Sequence, residues 1–239
     1  MAATVRKSDI DKAIANVCAK IIREPMLYFS EADVQQIIVQ SLNELKALAV
    51  TVATSVTKGA GSDGKYRTTL VHREYGAGDS RRWDVVIFDP EDAKQTDSTN
   101  LMRNQKYLPV QFAFEIGTEK TSDAAAHLAS DLAKLDASKV TDTGYIIHIF
   151  RDTTSGPTGT LTRQNTEDKI KRMFTDVFKS SAEKVPDRVR VLAILLRTGH
   201  NRTKMRGKCE IFDLKTREWK KININRPNDI REAALQQLR

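Results

Sequence analysis

Two carboxylates stand in strand-like runs whose neighbours are apolar. Asp84 lies in RRWDVVIF (81–88), just after a turn, and Glu115 lies in VQFAFEIG (110–117). An acid in such a run is desolvated at a cost unless a cation, a metal or several donors compensate. Two of them on neighbouring strands could share a divalent ion. Mg²⁺ suits such a pair, because one or two carboxylates with waters and a substrate phosphate complete its shell. An ion so placed activates water and stabilises charge on a phosphodiester under attack. The structural alternative is ordinary ion pairing, with Arg82 for the Asp and Lys120 for the Glu.

Other residues can join this pair. Glu74 ends the strand-like HREY (72–75) and can approach Asp84 across a turn, either as a ligand or water-orienting group or as a cross-strand partner for an arginine. His127, Asp131 and Lys134 recur at i, i+4 and i+7, one polar stripe on a helix whose Leu128, Leu132 and Leu135 form its apolar face. His148 sits inside an apolar run and reads as a core histidine. No His or Cys grouping has zinc spacing, and there is no Walker A, GxGxxG or GxSxG sequence.

The elements that must position these groups follow from periodicity. Helices are expected over Ile10–Ile22, after Ser30 (with Asp33 in capping-box spacing), after Ser122 or Asp123, around Ile170–Phe178 and after Pro227. Strands are expected over Tyr66–Tyr75, Arg82–Asp89, Leu108–Gly117, Gly144–Phe150, Val189–Leu196, Glu210–Leu214 and Trp219–Ile224. Val50, Val52 and Val56 mark a further β-like stretch, and Pro90–Lys106 reads as a loop. One mixed sheet flanked by helices is the α/β architecture this order implies.

Composition narrows the class. In 239 residues, 40% are hydrophobic and 29% charged, enough for a real core. No apolar run reaches membrane-span length, the N-terminal stretch lacks the pattern of a secretory signal, and Cys18 and Cys209 form no disulfide framework. A reducing cytoplasm, with no membrane partner, is the expectation. The net charge of +8 is concentrated: from Asp187 onward fourteen Lys/Arg oppose six Asp/Glu, an excess equal to the whole. That suits a polyanion, since Lys and Arg on phosphates release counterions, though a well-solvated surface has the same composition. Arg202, Lys204, Arg206 and Lys208 in a Gly-flanked stretch, with Lys220 and Lys221 beside Trp219, are the candidate phosphate contacts, and Trp219 either stacks on a base or belongs to the core.

The segment from Ser30 to Phe150 resembles the PD-(D/E)XK, or restriction-endonuclease-like, nuclease superfamily. Its core order is helix, three strands, helix, strand (αβββαβ), with an Asp at the start of the second strand and (D/E)-x-K in the third. RRWDVVIFD resembles the Asp strand, VQFAFEIG the acid strand, SDAAAHLASDLAKL the next helix and TGYIIHIF the next strand. The resemblance implies catalytic Asp84 and Glu115 holding Mg²⁺ or Mn²⁺. It also implies a lysine two residues after Glu115, where this chain has Gly117. Lys120 is the first substitute for that lysine and Lys134 the second, with the possibility that both are merely solvated. An acid on the first core helix is common in the superfamily; Glu31 matches it, with Gln35 one turn on, although Glu31 also favours a helix N-terminus by charge.

The expected organisation is an N-terminal helical segment (1–29), the nuclease-like core (30–152) and a basic α/β extension (153–239) packed on the same sheet. The expected activity is metal-dependent hydrolysis of DNA, rather than RNA, by a restriction or defence-type endonuclease, with homodimers common in the superfamily. Gly117 motivates the rival from another class, an inactive nuclease-like fold that binds nucleic acid or serves assembly. A nucleotide-sensing or protein-interaction domain, with 59–64 and 90–106 as binding loops, is a third.

Overall fold

The computed structural model describes residues 5–24, 27–28, 30–53, 67–76, 82–95, 110–118, 124–136, 140–152, 159–180, 187–197 and 208–239. Helix α1 (Lys7–Arg23) buries Ile10, Ile14, Val17 and Ile21, a stripe at helical spacing. Helix α2 (Glu31–Asn43) begins where the Ser30 side chain accepts from the Asp33 N–H and the Asp33 carboxylate accepts from the Ser30 N–H, a reciprocal cap. Strands β1 (Thr51–Ala53) and β2 (Arg67–Thr69) form a two-stranded sheet.

The main sheet has seven strands in chain order: β3 (Val71–Gly76), β4 (Arg82–Phe88), β5 (Val110–Gly117), β6 (Val140–Asp152), β7 (Val189–Arg197), β8 (Lys208–Asp213) and β9 (Glu218–Ile222). β3, β4 and β5 are antiparallel, β5, β6 and β7 parallel, and β7, β8 and β9 antiparallel, so the sheet is mixed. Between strands lie α3 (Pro90–Gln95), α4 (Ala124–Asp136) and α5 (Gly159–Ser180), and α6 (Pro227–Leu238) ends the chain.

Two expectations need correction. The strand expected over Tyr66–Tyr75 breaks at Leu70: β2 pairs with β1, whereas β3 pairs with β4. Leu70 itself is fully buried and its carbonyl accepts the Phe88 N–H, so the chain changes sheets there without losing its bond. The loop expected over Pro90–Lys106 begins as helix α3, because Asp89 Oδ1 accepts from the Glu91 and Asp92 N–H groups and Pro90 occupies the first helical position. Residues 96–106 lie outside the described part.

Helices cover both faces of the central strands. On one face the Tyr145 hydroxyl of β6 donates to Asp11 of α1 at 2.8 Å. On the other, α4 and α5 pack against His148 and Phe150 of β6. This is why nearly all of β5, including the alternation that would otherwise face water, is buried. Toward β8 and β9 the same layer is aromatic: Phe174 and Phe178 of α5 pack with Phe212 and Trp219 at centroid separations of 5.2–5.7 Å. Among the described residues, no helix is long and apolar enough to cross a membrane.

Candidate active site

Strand register brings the acids together. Val85 pairs with Phe114, so the next positions in that antiparallel ladder, Asp84 and Glu115, stand opposite one another on one face. Arg73 pairs with Val85 and Tyr75 with Trp83, which sets Glu74 opposite Asp84 in the next strand. Glu74 has φ 49°, an uncommon conformation for a side-chain-bearing residue. Its Oε1 accepts from Gln35 Nε2 at 3.1 Å, and Gln35 Oε1 accepts from Arg73 at 2.8 Å. Gln35, nearly fully buried, thus ties α2 to β3 by bonding both Glu74 and Arg73.

Burial and like charge set the protonation of the pair. Burial pushes the Asp84 carboxyl up to about 7, against the pull of the Ile116 N–H, which it accepts at 2.5 Å. Burial also raises Glu115, and the neighbouring Asp84 and Asp131 raise it further. Glu115 is 1% exposed, and while its Oε2 receives Lys134, its Oε1 has no hydrogen-bond partner. Burial raises Glu31 as well, and that carboxyl feels His127, Asp131, Glu74 and Lys134, so the start of α2 faces the same group of charges.

Lys134 supplies the ammonium. From α4 its Nζ donates to Glu115 Oε2 at 2.5 Å and stands 3.2 Å from Asp131 Oδ1. Burial would lower this lysine, but Glu115 and Asp131 outweigh it and hold it charged. The reading of Lys134 as merely solvated is therefore overturned: the polar stripe of α4 turns inward, and Asp131 is fully buried. Lys120 lies outside the described residues.

His148 and Gly117 explain why no lysine stands on the strand. Gly117 pairs with His148 across β5 and β6. A Cβ on Gly117 would lie 2.8 Å from His148 Cε1 and 2.9 Å from its Nδ1 and Nε2. The ring, fully buried, occupies the room a side chain would need. Its Nε2 is 3.0 Å from Asp131 Oδ2, and His127 Nε2 is 3.5 Å from Asp131 Oδ1. Burial raises the Asp131 carboxyl, but the His148 bond and the charges of His148, Lys134 and His127 prevail and hold it below its ordinary range. An ionised carboxylate only accepts, so His148 Nε2 carries the proton and donates. His148 is a core histidine, as its apolar run implies, yet it adjoins the site. The detectable signal was a glycine at the expected lysine position with a histidine in the next buried strand.

The donor set fits a hard divalent cation. Glu115 keeps one buried oxygen without a partner beside a second carboxylate, while among the described residues no three His, Cys, Asp or Glu side chains stand together so that they could hold a metal ion by themselves. Two carboxylates with water and substrate oxygens match Mg²⁺ or Mn²⁺ better than a structural metal.

The basic segment divides. Arg188 and Arg190 donate to the carbonyls of Val140 and Leu238 and are structural. Lys220 pairs with Asp213, and Lys220 and Lys221 are exposed on the edge strand β9. Trp219 packs against Phe174 and Phe212, in agreement with the core alternative of its two readings. Arg202, Lys204 and Arg206 lie outside the described residues, as does the side chain of Lys208. Comparison with protein-family models, with curated proteins and with solved structures gave no match for this chain.

Proposed function

We propose that this chain is a metal-dependent phosphodiesterase acting on DNA, built on a restriction-endonuclease-like core. The observation that carries the reading is the meeting of Asp84, Glu115 and Lys134 on one sheet face, with two carboxyls raised by burial and one buried oxygen unpartnered. Buried like charges are costly, and their concentration is a mark of function rather than of folding. With β1, β2 and the short α3 as insertions, the order α2, β3, β4, β5, α4, β6, with Asp84 in the second of three antiparallel strands and Glu115 in the third, supports the fold assignment.

Asp84 and Glu115 are the residues that would hold Mg²⁺ or Mn²⁺, which when bound would polarise the phosphodiester and lower the pKa of a water. Lys134, charged and fixed at the Glu115 carboxylate, places a cation where negative charge grows on the phosphoryl oxygens. In the hydrolysis a water oxygen bonds to phosphorus as the ester P–O bond breaks. The proton of that water passes to solvent, and the leaving oxygen takes one from solvent. The inward-turned Lys134 supports the active reading over the inactive-fold alternative, since it offers on α4 a cation in place of the strand lysine.

The test is cleavage of labelled duplex and single-stranded DNA and RNA in Mg²⁺, Mn²⁺ or EDTA, with wild type beside Glu115→Ala and Asp84→Ala. Metal-dependent DNA cleavage, lost in both folded variants while DNA binding persists, is expected. Binding without cleavage by folded wild type would instead favour the inactive module.

A further inference from the structure

We propose that Asp131 and His148 are positioning residues that fix the Lys134 ammonium on Glu115, His148 doing so from the space a side chain at position 117 would need. This rests on the phosphodiesterase reading and extends it to residues that touch neither metal nor substrate. A lysine has a flexible four-carbon stem, so holding its ammonium at one point costs conformational freedom unless neighbours define that point. Here Glu115 Oε2 accepts its hydrogen bond at 2.5 Å, and Asp131 Oδ1 flanks it as an ion-pair partner at 3.2 Å.

Asp131 can aim one oxygen at Lys134 because its other oxygen is fixed. His148 Nε2 donates to Oδ2, and neither residue is exposed. The imidazole is immobilised in turn by Phe150 and Phe174, at centroid separations of 6.0 and 6.2 Å, and by the bare backbone of Gly117. The ring that orients the helix aspartate thereby excludes a lysine from the strand. Gly117, His148, Asp131 and Lys134 thus form one contiguous set, each against the next.

The experiment compares cleavage kinetics of wild type, Lys134→Ala, Asp131→Asn and His148→Phe, and of Lys134→Ala combined with each of the other two, on duplex DNA in Mg²⁺, with folding followed by thermal melts. Phenylalanine keeps an aromatic ring against Gly117 while removing the Nε2 donor and the Nδ1 that has no partner. Asp131→Asn and His148→Phe are expected to lower kcat about 10–100-fold with KM within about threefold, as for groups that orient a catalytic side chain. Neither is expected to slow Lys134→Ala further, because a positioning residue acts only through its lysine. Losses that multiply in the double variants, or single variants at wild-type kcat, overturn the inference. Wild type that cleaves while Lys134→Ala cleaves equally well overturns it and spares the nuclease reading; folded wild type that cleaves nothing overturns both. If neither single variant folds, reductive methylation of folded wild type decides: protection of Lys134 relative to exposed lysines supports the clamp, and labelling at their rate overturns it.

Discussion

Two buried glutamates on sheet strands each receive a lysine from a helix packed above, and their surroundings differ. Glu115 of β5 meets Lys134 of α4, and Glu210 of β8 meets Lys171 of α5. Around Glu115 stand Asp84 and Asp131, which raise its carboxyl, and one of its oxygens lacks a partner. Glu210 shares its strand face with Phe212, in the layer where Phe174, Phe178 and Trp219 close together. The same residue pair thus serves in one place as a tie within an aromatic layer, and in the other as part of a crowded set of charges. A buried ion pair alone says little about function; the excess of like charge beside it is informative.

The comparison can be broken at several points. The largest effect belongs to the aromatic region: Phe178→Ala, at a fully buried ring packed on Phe212, should cost about 3–5 kcal/mol of unfolding free energy by leaving a cavity. Chemical denaturation measures this, and cleavage per folded molecule should be unchanged. Next, Lys134→Ala should slow DNA cleavage about 10²–10³-fold, about 3–4 kcal/mol in the barrier, as for loss of one preorganised donor. Lys171→Ala should leave the rate within about threefold, and equal losses in the two would erase the distinction.

A pH series sharpens the electrostatic side. The folded Asp84 carboxyl sits at about 7, above its ordinary 3.8, so folding favours its protonated form. That contribution is complete below about pH 4 and is lost as pH rises through about 7, amounting to about 2–4 kcal/mol by pH 8. In metal-free protein, Asp84→Asn should abolish this part of the decline. Mg²⁺ should raise the thermal midpoint of wild type at pH 8 more than that of the variant, since binding stabilises only the form that binds. The smallest effect is expected at Gly117→Ala, about 1–3 kcal/mol of overpacking against the His148 ring, read by thermal melts.

Much of the scaffold was legible because its signals are local. The Ser30–Asp33 cap, the apolar stripe of α1 and the continuous apolar run of β6 each announce an element without reference to the rest of the chain. The opposition of Asp84 and Glu115 was legible too, because each is the lone acid in an apolar strand and the strands are neighbours. What escaped was tertiary. Which lysine reaches Glu115 depends on how α4 sits over β5, and the stripe His127, Asp131, Lys134 looks the same facing water or facing the sheet. The part played by His148 depends on its register with Gly117 across a parallel pair separated by α4, which periodicity cannot reveal. The break at Leu70 likewise reflects membership in two sheets, visible only once partners are assigned.

The most direct test sets Glu115→Gln against Glu210→Gln in one cleavage assay, with Mg²⁺ or EDTA, on protein confirmed folded by thermal melts. Both variants remove a buried carboxylate from a lysine partner, so both lose an ion pair. The account predicts that Glu115→Gln abolishes metal-dependent DNA cleavage while Glu210→Gln cleaves at close to the wild-type rate per folded molecule. Equal cleavage by the two folded variants would contradict the assignment of the Asp84–Glu115–Lys134 site.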